Sequence, residues 1–226
     1  MAIFGSGTQK KEQRSTITDS QSATLMTKCM EIHGDIKGCG SIHIDGIVHG
    51  DVEVEKSVVV GKTGKVFGNI QSKEIIISGE HQGTLQCEKL EVTQTGIVSH
   101  AVKAKELVSD GKIDALLDVE EKVHITQNGK VTTNKLESRH IVVNGLIEGN
   151  IVATELLEIN KDGNVKGEMT VKKIKVAEGG LMLGTMLTYH KDENIKKVSK
   201  TINNDKNKKE ETEIQDHAKN EEKTSV

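Results

Sequence analysis

Gly46-Ile47-Val48, Gly64-Lys65-Val66, Gly79-Glu80-His81, Gly96-Ile97-Val98, Gly111-Lys112-Ile113, Gly129-Lys130-Val131, Gly145-Leu146-Ile147, Gly163-Asn164-Val165 and Gly180-Leu181-Met182 are nine copies of one element, a glycine followed at the second position by an apolar residue. Successive glycines are 18, 15, 17, 15, 18, 16, 18 and 17 residues apart. The third copy is degenerate, with His81 in the aliphatic place. Return at a near-constant interval marks a repeat architecture. Between the glycines runs a second element of alternating apolar residues: Ile42/Ile44, Val58/Val60, Ile75/Ile77, Leu90/Val92, Val123/Ile125, Ile141/Val143, Leu157/Ile159 and Ile174/Val176. Period-two alternation over such short runs means strands with one face turned inward.

Each unit of about 17 residues then holds two or three short strands joined at glycine-containing or polar corners. If each unit is one coil of a β-solenoid, equivalent residues stack ~4.8 Å apart and every inward side chain meets its counterpart above and below. Nine such coils would make a rod of roughly 40 Å. The corner glycines Gly46, Gly64, Gly79, Gly96, Gly111, Gly129, Gly145, Gly163 and Gly180 are expected to supply conformations closed to residues with a Cβ, positive φ in particular. A β-sandwich also has short strands and frequent turns. It does not require the same element to return every ~17 residues.

Composition agrees with thin layers of small side chains. Of 226 residues, 34% are hydrophobic, 1% aromatic and 29% charged, and the aromatics are Phe4, Phe67 and Tyr189. A core of large rings is excluded. A net charge of −3 leaves no broad basic surface, so nucleic acid is not an expected partner. Cys29, Cys39 and Cys87 are odd in number and spaced for neither a disulfide framework nor a CxxC metal site, which predicts reduced thiols and a cytoplasmic protein. No run approaches the ~18 apolar residues of a membrane span, and the first residues lack the apolar stretch of a secretory leader.

The expected organisation is a flexible N-terminal tail over 1–28, a β-helix domain over 29–187 and a charged, disordered tail over 188–226. That last stretch has nine Lys, nine acids and only seven scattered apolar residues. At the other end Ile3 and Phe4 precede Lys10, Lys11 and Arg14, an apolar tip followed by cations that would suit contact with anionic lipid.

Motifs for chemistry fail on inspection. Gly61-Lys62-Thr63 matches the end of a phosphate-binding loop, but Lys56 stands where its first glycine belongs, and no helix is due to follow. His33 and His49 are 16 apart, as are His124 and His140. His43 and His124 alternate with inward aliphatics and so point outward, and matching Val123 with Ile141 sets His140 over Lys122 instead of His124. Glu53/Glu55 and Glu88/Glu91 are read as solvated faces that discourage sideways aggregation. No catalytic, cofactor-binding or metal-ligating residue is assigned.

Gly34-Asp35-Ile36-Lys37-Gly38, the run Ser41 to Val52 with its core Ile44-Asp45-Gly46-Ile47-Val48-His49-Gly50-Asp51, and Val58 to Ile70 resemble the bactofilins, polymer-forming bacterial cytoskeletal proteins. The likeness is best over residues ~34–100. It implies a right-handed β-helix flanked by disordered tails, end-to-end assembly without nucleotide, and a short membrane-contacting N-terminus. The partners it implies are the chain itself or a paralogous bactofilin, an anionic membrane at the inner face of the cell envelope, and client proteins in envelope, shape or motility machinery. Two departures stand out: the final coil has no aromatic residue, and the chain has no proline.

Candidate subunit contacts are Ile42 and Ile44 at one end and Leu181, Met182, Leu183, Met186 and Leu187 at the other. An uncapped solenoid end exposes unpaired backbone and an apolar cross-section, which favours pairing with another copy. The competing expectations are a solenoid enzyme of the acyltransferase or zinc hydratase type and an extracellular fibre. Hexapeptide enzymes favour a strict 18-residue coil, which these intervals do not keep.

Overall fold

A computed structural model describes residues 23–189, and within them the chain is all-β with every strand pair parallel. The strands wind into a solenoid of ten coils with three faces. The inward column of the first face is Thr24, Ile42, Val58, Ile75, Leu90, Leu107, Val123, Ile141, Leu157 and Ile174, each paired with the next. The second face stacks Glu31–His33, Ile47–His49 and Lys65–Phe67 and ends with residues 181–183 of the strand Leu181–Thr188, whose remainder closes the third face. The third begins with Ile36–Gly38, Val52–Val54 and Ile70–Gln71. Nine intercoil steps at the ordinary strand spacing give a rod of about 43 Å.

The inward columns of the three faces meet in one core cluster, mostly Val, Ile and Leu with a few Ala and Met, almost without exposure from Met26 to Val171. The expectation of period-two strands with one face inward describes it, as in the buried-exposed alternation of Lys112–Ile125. Outside, the ladders pair opposite charges between coils. Lys37–Glu53 (2.8 Å), Lys65–Glu80 (2.9 Å), Lys105–Glu88 (3.1 Å) and Lys166–Glu148 (3.0 Å) are all of this kind. Hydrogen bonding and the charge of Glu53 and Glu88 hold the Lys37 and Lys105 ammonium groups above their usual range. Exposed pairs are worth ~0–1 kcal/mol each, so they bias register more than they stabilise.

The uneven repeat length has a simple cause. The corner between the first and second faces alternates between four residues and two: 27–30, 45–46, 61–64, 78–79, 93–96, 110–111, 126–129, 144–145 and 160–163. The long corners close with a bond from their last amide to their first carbonyl, as Gly64 N to Gly61 O (2.9 Å) and Gly129 N to Thr126 O (3.1 Å). From 61–64 upward they reach back over the short corner beneath. Thr63 Oγ1 donates to the Asp45 carbonyl (2.9 Å), Thr95 Oγ1 to the Ser78 carbonyl (2.7 Å) and Asn128 Nδ2 to the Asp110 carboxylate (3.1 Å). A short corner leaves a carbonyl or carboxylate that the longer turn above satisfies. The alternation stops only at 177–180, which follows one long corner with another.

The corner glycines are needed for a different reason from the one expected. None of the nine has φ in the left-handed region. At Gly64 an added Cβ would lie 2.2 Å from the Ile44 carbonyl oxygen of the coil below, and the same clash recurs up the column. Positive φ belongs instead to a second glycine column at the next corner, where Gly50 has φ 153° and packs on the Gly34 carbonyl. His100 holds the same left-handed place in that column at φ 96°.

Two further differences from the sequence reading concern the first coil. Strand Ala23–Met26 lies beneath Ser41–Ile44, so the solenoid begins inside the stretch assigned to a tail and ahead of the expected boundary at 29. Met30 occupies the corner place that glycine fills above it, since Gly46 packs against the Met30 carbonyl. A search for glycine therefore passes over this coil.

Candidate assembly surfaces

The first and last coils differ from the eight between them because, among the described residues, their strands have a partner on one side only. Their unpaired edges carry backbone donors and acceptors that a further coil could satisfy. Side chains mark the same places. Among the described residues nine large hydrophobic side chains are exposed: Leu25 and Met30 belong to the first coil, and Val176, Leu181, Leu183, Met186 and Leu187 to the last. Only Ile97 and Leu116 lie elsewhere.

At the C-terminal end the five expected contact residues are all in the last coil, but they do not face the same way. Met182 continues the inward column above Val165, and Met186 continues the one above Met169, both of which are fully buried. Leu181, Leu183 and Leu187 stand on outward ladders above Asn164, Lys166 and Thr170. With half-buried Ile174, Met182 and Met186 form the apolar cross-section, while the leucines form its rim.

At the N-terminal end Ile42 and Ile44 lie inside the solenoid and not at its end face. The first coil covers them, leaving exposures of 5% and 0%. The inward places of the first coil are Thr24, Met26, Ile32 and Ile36; Met26 is itself buried, Ile32 and Ile36 are half-buried and Thr24 is exposed. The sequence does carry a signal for this coil. Ile32-His33-Gly34-Asp35-Ile36 repeats as Val48-His49-Gly50-Asp51-Val52 sixteen residues later. Ile3, Phe4, Lys10, Lys11 and Arg14 lie outside the described residues.

Other chemistry-bearing groups are accounted for by the fold. Gly61-Lys62-Thr63-Gly64 is one of the four-residue corners. A groove of about 550 Å³ runs along the corner after the third face, lined by Lys37, Glu53, Cys87, Lys103, Lys105 and Glu88 among others. Within it Lys37 pairs with Glu53 and Lys105 with Glu88, and burial pushes the Cys87 thiol up to about 12, far from a nucleophile at neutral pH.

Two comparisons with known proteins agree with this geometry. The family model for bactofilins, described as polymer-forming cytoskeletal, matches residues 24–111 and 104–186. The chain is also 26% identical over 82 residues to the bactofilin BacO of Myxococcus xanthus (strain DK1622), a match covering 36% of this chain and 64% of the relative. No solved structure matches. The chain belongs to the bactofilin family of polymer-forming cytoskeletal proteins.

Proposed function

We infer that this chain is a non-enzymatic scaffold subunit that joins end to end through its terminal coils, without nucleotide, into filaments at the cytoplasmic face of the membrane. The observation that carries the reading is the placement of exposed apolar side chains, seven of nine on the two terminal coils. Stacking one solenoid on another would extend the parallel ladders and cover Met182, Met186 and Val176 at one end and Leu25 and Met30 at the other. Strand pairing supplies the energy, so no bound nucleotide is required. A membrane tie through Ile3, Phe4 and the following cations would be weak for one subunit and strong for a filament carrying many copies. Such a polymer would serve as a platform for envelope, shape or motility machinery, alone or mixed with a paralogous bactofilin.

The test is a charge in the cross-section. Met182→Arg or Met186→Arg would trap an unpaired cation between stacked coils, and the concentration needed for assembly is expected to rise at least about 100-fold, ~3 kcal/mol. Leu183→Arg is the milder change, because its ladder already holds Lys166. Pelleting assays across a concentration series measure the shift. Unchanged assembly in both methionine variants, with the fold intact by circular dichroism, would remove the end-to-end contact from the account.

A further inference from the structure

Glu31, His33 and His49 converge on the outer surface of the second face, at the N-terminal end. Glu31 and His33 are two residues apart on one strand and therefore share a face. His49 is the direct partner of His33 one coil up, and Phe67 the partner of His49 above that. The three rings stack, with centroids 4.8 Å apart for His33/His49 and 5.0 Å for His49/Phe67 and planes within 6° and 10° of parallel. One carboxylate oxygen, Glu31 Oε1, lies 3.0 Å from His33 Nε2 and 3.4 Å from His49 Nε2. The ligand atoms of all three residues are within 4.8 Å of one another.

The geometry points to a transition-metal site formed by His33 Nε2, His49 Nε2 and a Glu31 carboxylate oxygen. Two imidazoles and one carboxylate are a donor set for zinc and neighbouring borderline divalent ions, and not for magnesium or calcium, which take oxygen. Three ligands leave a fourth tetrahedral position for water or another donor. Ligand atoms around zinc sit roughly 3.3 Å apart, given bonds of ~2.0–2.1 Å, so a set spanning up to 4.8 Å must close by up to about 1.5 Å, and one imidazole must turn out of the parallel stack for both ring planes to contain the ion. All three side chains are on the surface, where rotation about χ1 and χ2 is open. Phe67 supports the His49 ring from the far side.

The other histidines of the described surface lack this convergence. His43 meets only the Asp45 carboxylate (3.1 Å), His140 only that of Glu155 (3.3 Å), and His124 bonds to the Asn144 amide (2.9 Å). Among the described residues, Glu31, His33 and His49 alone form such a group. The ion would bridge the first coil to the second and hold the terminal strand Glu31–His33 against fraying. No catalysis is assigned to it.

The test is titration of the full-length, chelator-treated protein with zinc chloride at pH 7.5 against a chromophoric competitor. One equivalent is expected to bind at micromolar or tighter affinity and to raise the melting temperature. His33→Ala and His49→Ala should each weaken binding at least tenfold and abolish that rise, Glu31→Gln should weaken it less, and a His124→Ala/His140→Ala control should behave as wild type. Zinc binding that persists unchanged in His33→Ala/His49→Ala, or no one-equivalent binding in the wild type, would overturn the proposal. Circular dichroism establishes that these surface variants fold.

Discussion

His81 sits in the interior where its neighbours above and below are Val98 and Val66. It is fully buried; its Nε2 donates to the Gly68 carbonyl at 3.0 Å, and its Nδ1 has no partner. Burial first, and the nearby His100 in smaller measure, lower its pKa to about 4 from 6.5 against the raising effect of the Gly68 bond. The unfolded chain therefore takes up a proton before the folded one as pH falls. The His81 contribution is fully present above about pH 6.5 and is lost between 6.5 and 4, on the order of 3 kcal/mol. His81→Gln keeps a donor but cannot titrate, so its stability should fall less over that window. Denaturant melts at pH 7 and pH 4 measure the difference, and equal pH slopes would refute it. Glycine gives a second prediction at this scale. Gly64→Ala drives a Cβ into a backbone oxygen of the coil below and is expected to cost about 1–3 kcal/mol. Gly61→Ala in the same turn meets the Asp45 carboxylate, a side chain that can rotate away, and should cost under ~1 kcal/mol.

At the scale of the element, the coil was legible because a fully inward column must be aliphatic, and the alternation about Ile75/Ile77 or Val123/Ile125 fits an extended strand with one buried face and does not fit a helix. The expected register of Val123 on Ile141 and His140 on Lys122 is the one adopted. The alternation of long and short corners was also written in the intervals of 18, 15, 17 and 15, but it emerges only when coils are taken in pairs. The first coil was harder to see, since Met30 replaces its glycine and Thr24 stands where the later coils carry an aliphatic residue. What glycine does at a corner was out of reach altogether. A Cβ clash with the coil below depends on stacking distance, which spacing along one chain does not encode. The grouping of Glu31, His33 and His49 was half visible: the 16-residue interval equals one coil, but the role of Glu31 needs both ring orientations.

For the whole molecule the account predicts division of labour between the ends and the N-terminal residues. Ile3→Ala/Phe4→Ala should leave filaments intact and abolish co-sedimentation with anionic phosphatidylglycerol vesicles, since each lost side chain removes ~1.5–3 kcal/mol of burial per subunit. Retained vesicle binding would assign the membrane contact elsewhere. The central claim is that apolar terminal coils make the solenoid a polymer subunit by themselves. Negative-stain electron microscopy of the purified protein, free of nucleotide and treated with a chelator, tests it most directly. Long unbranched filaments about one solenoid wide are the expected result, and discrete particles of one or a few subunits would contradict it.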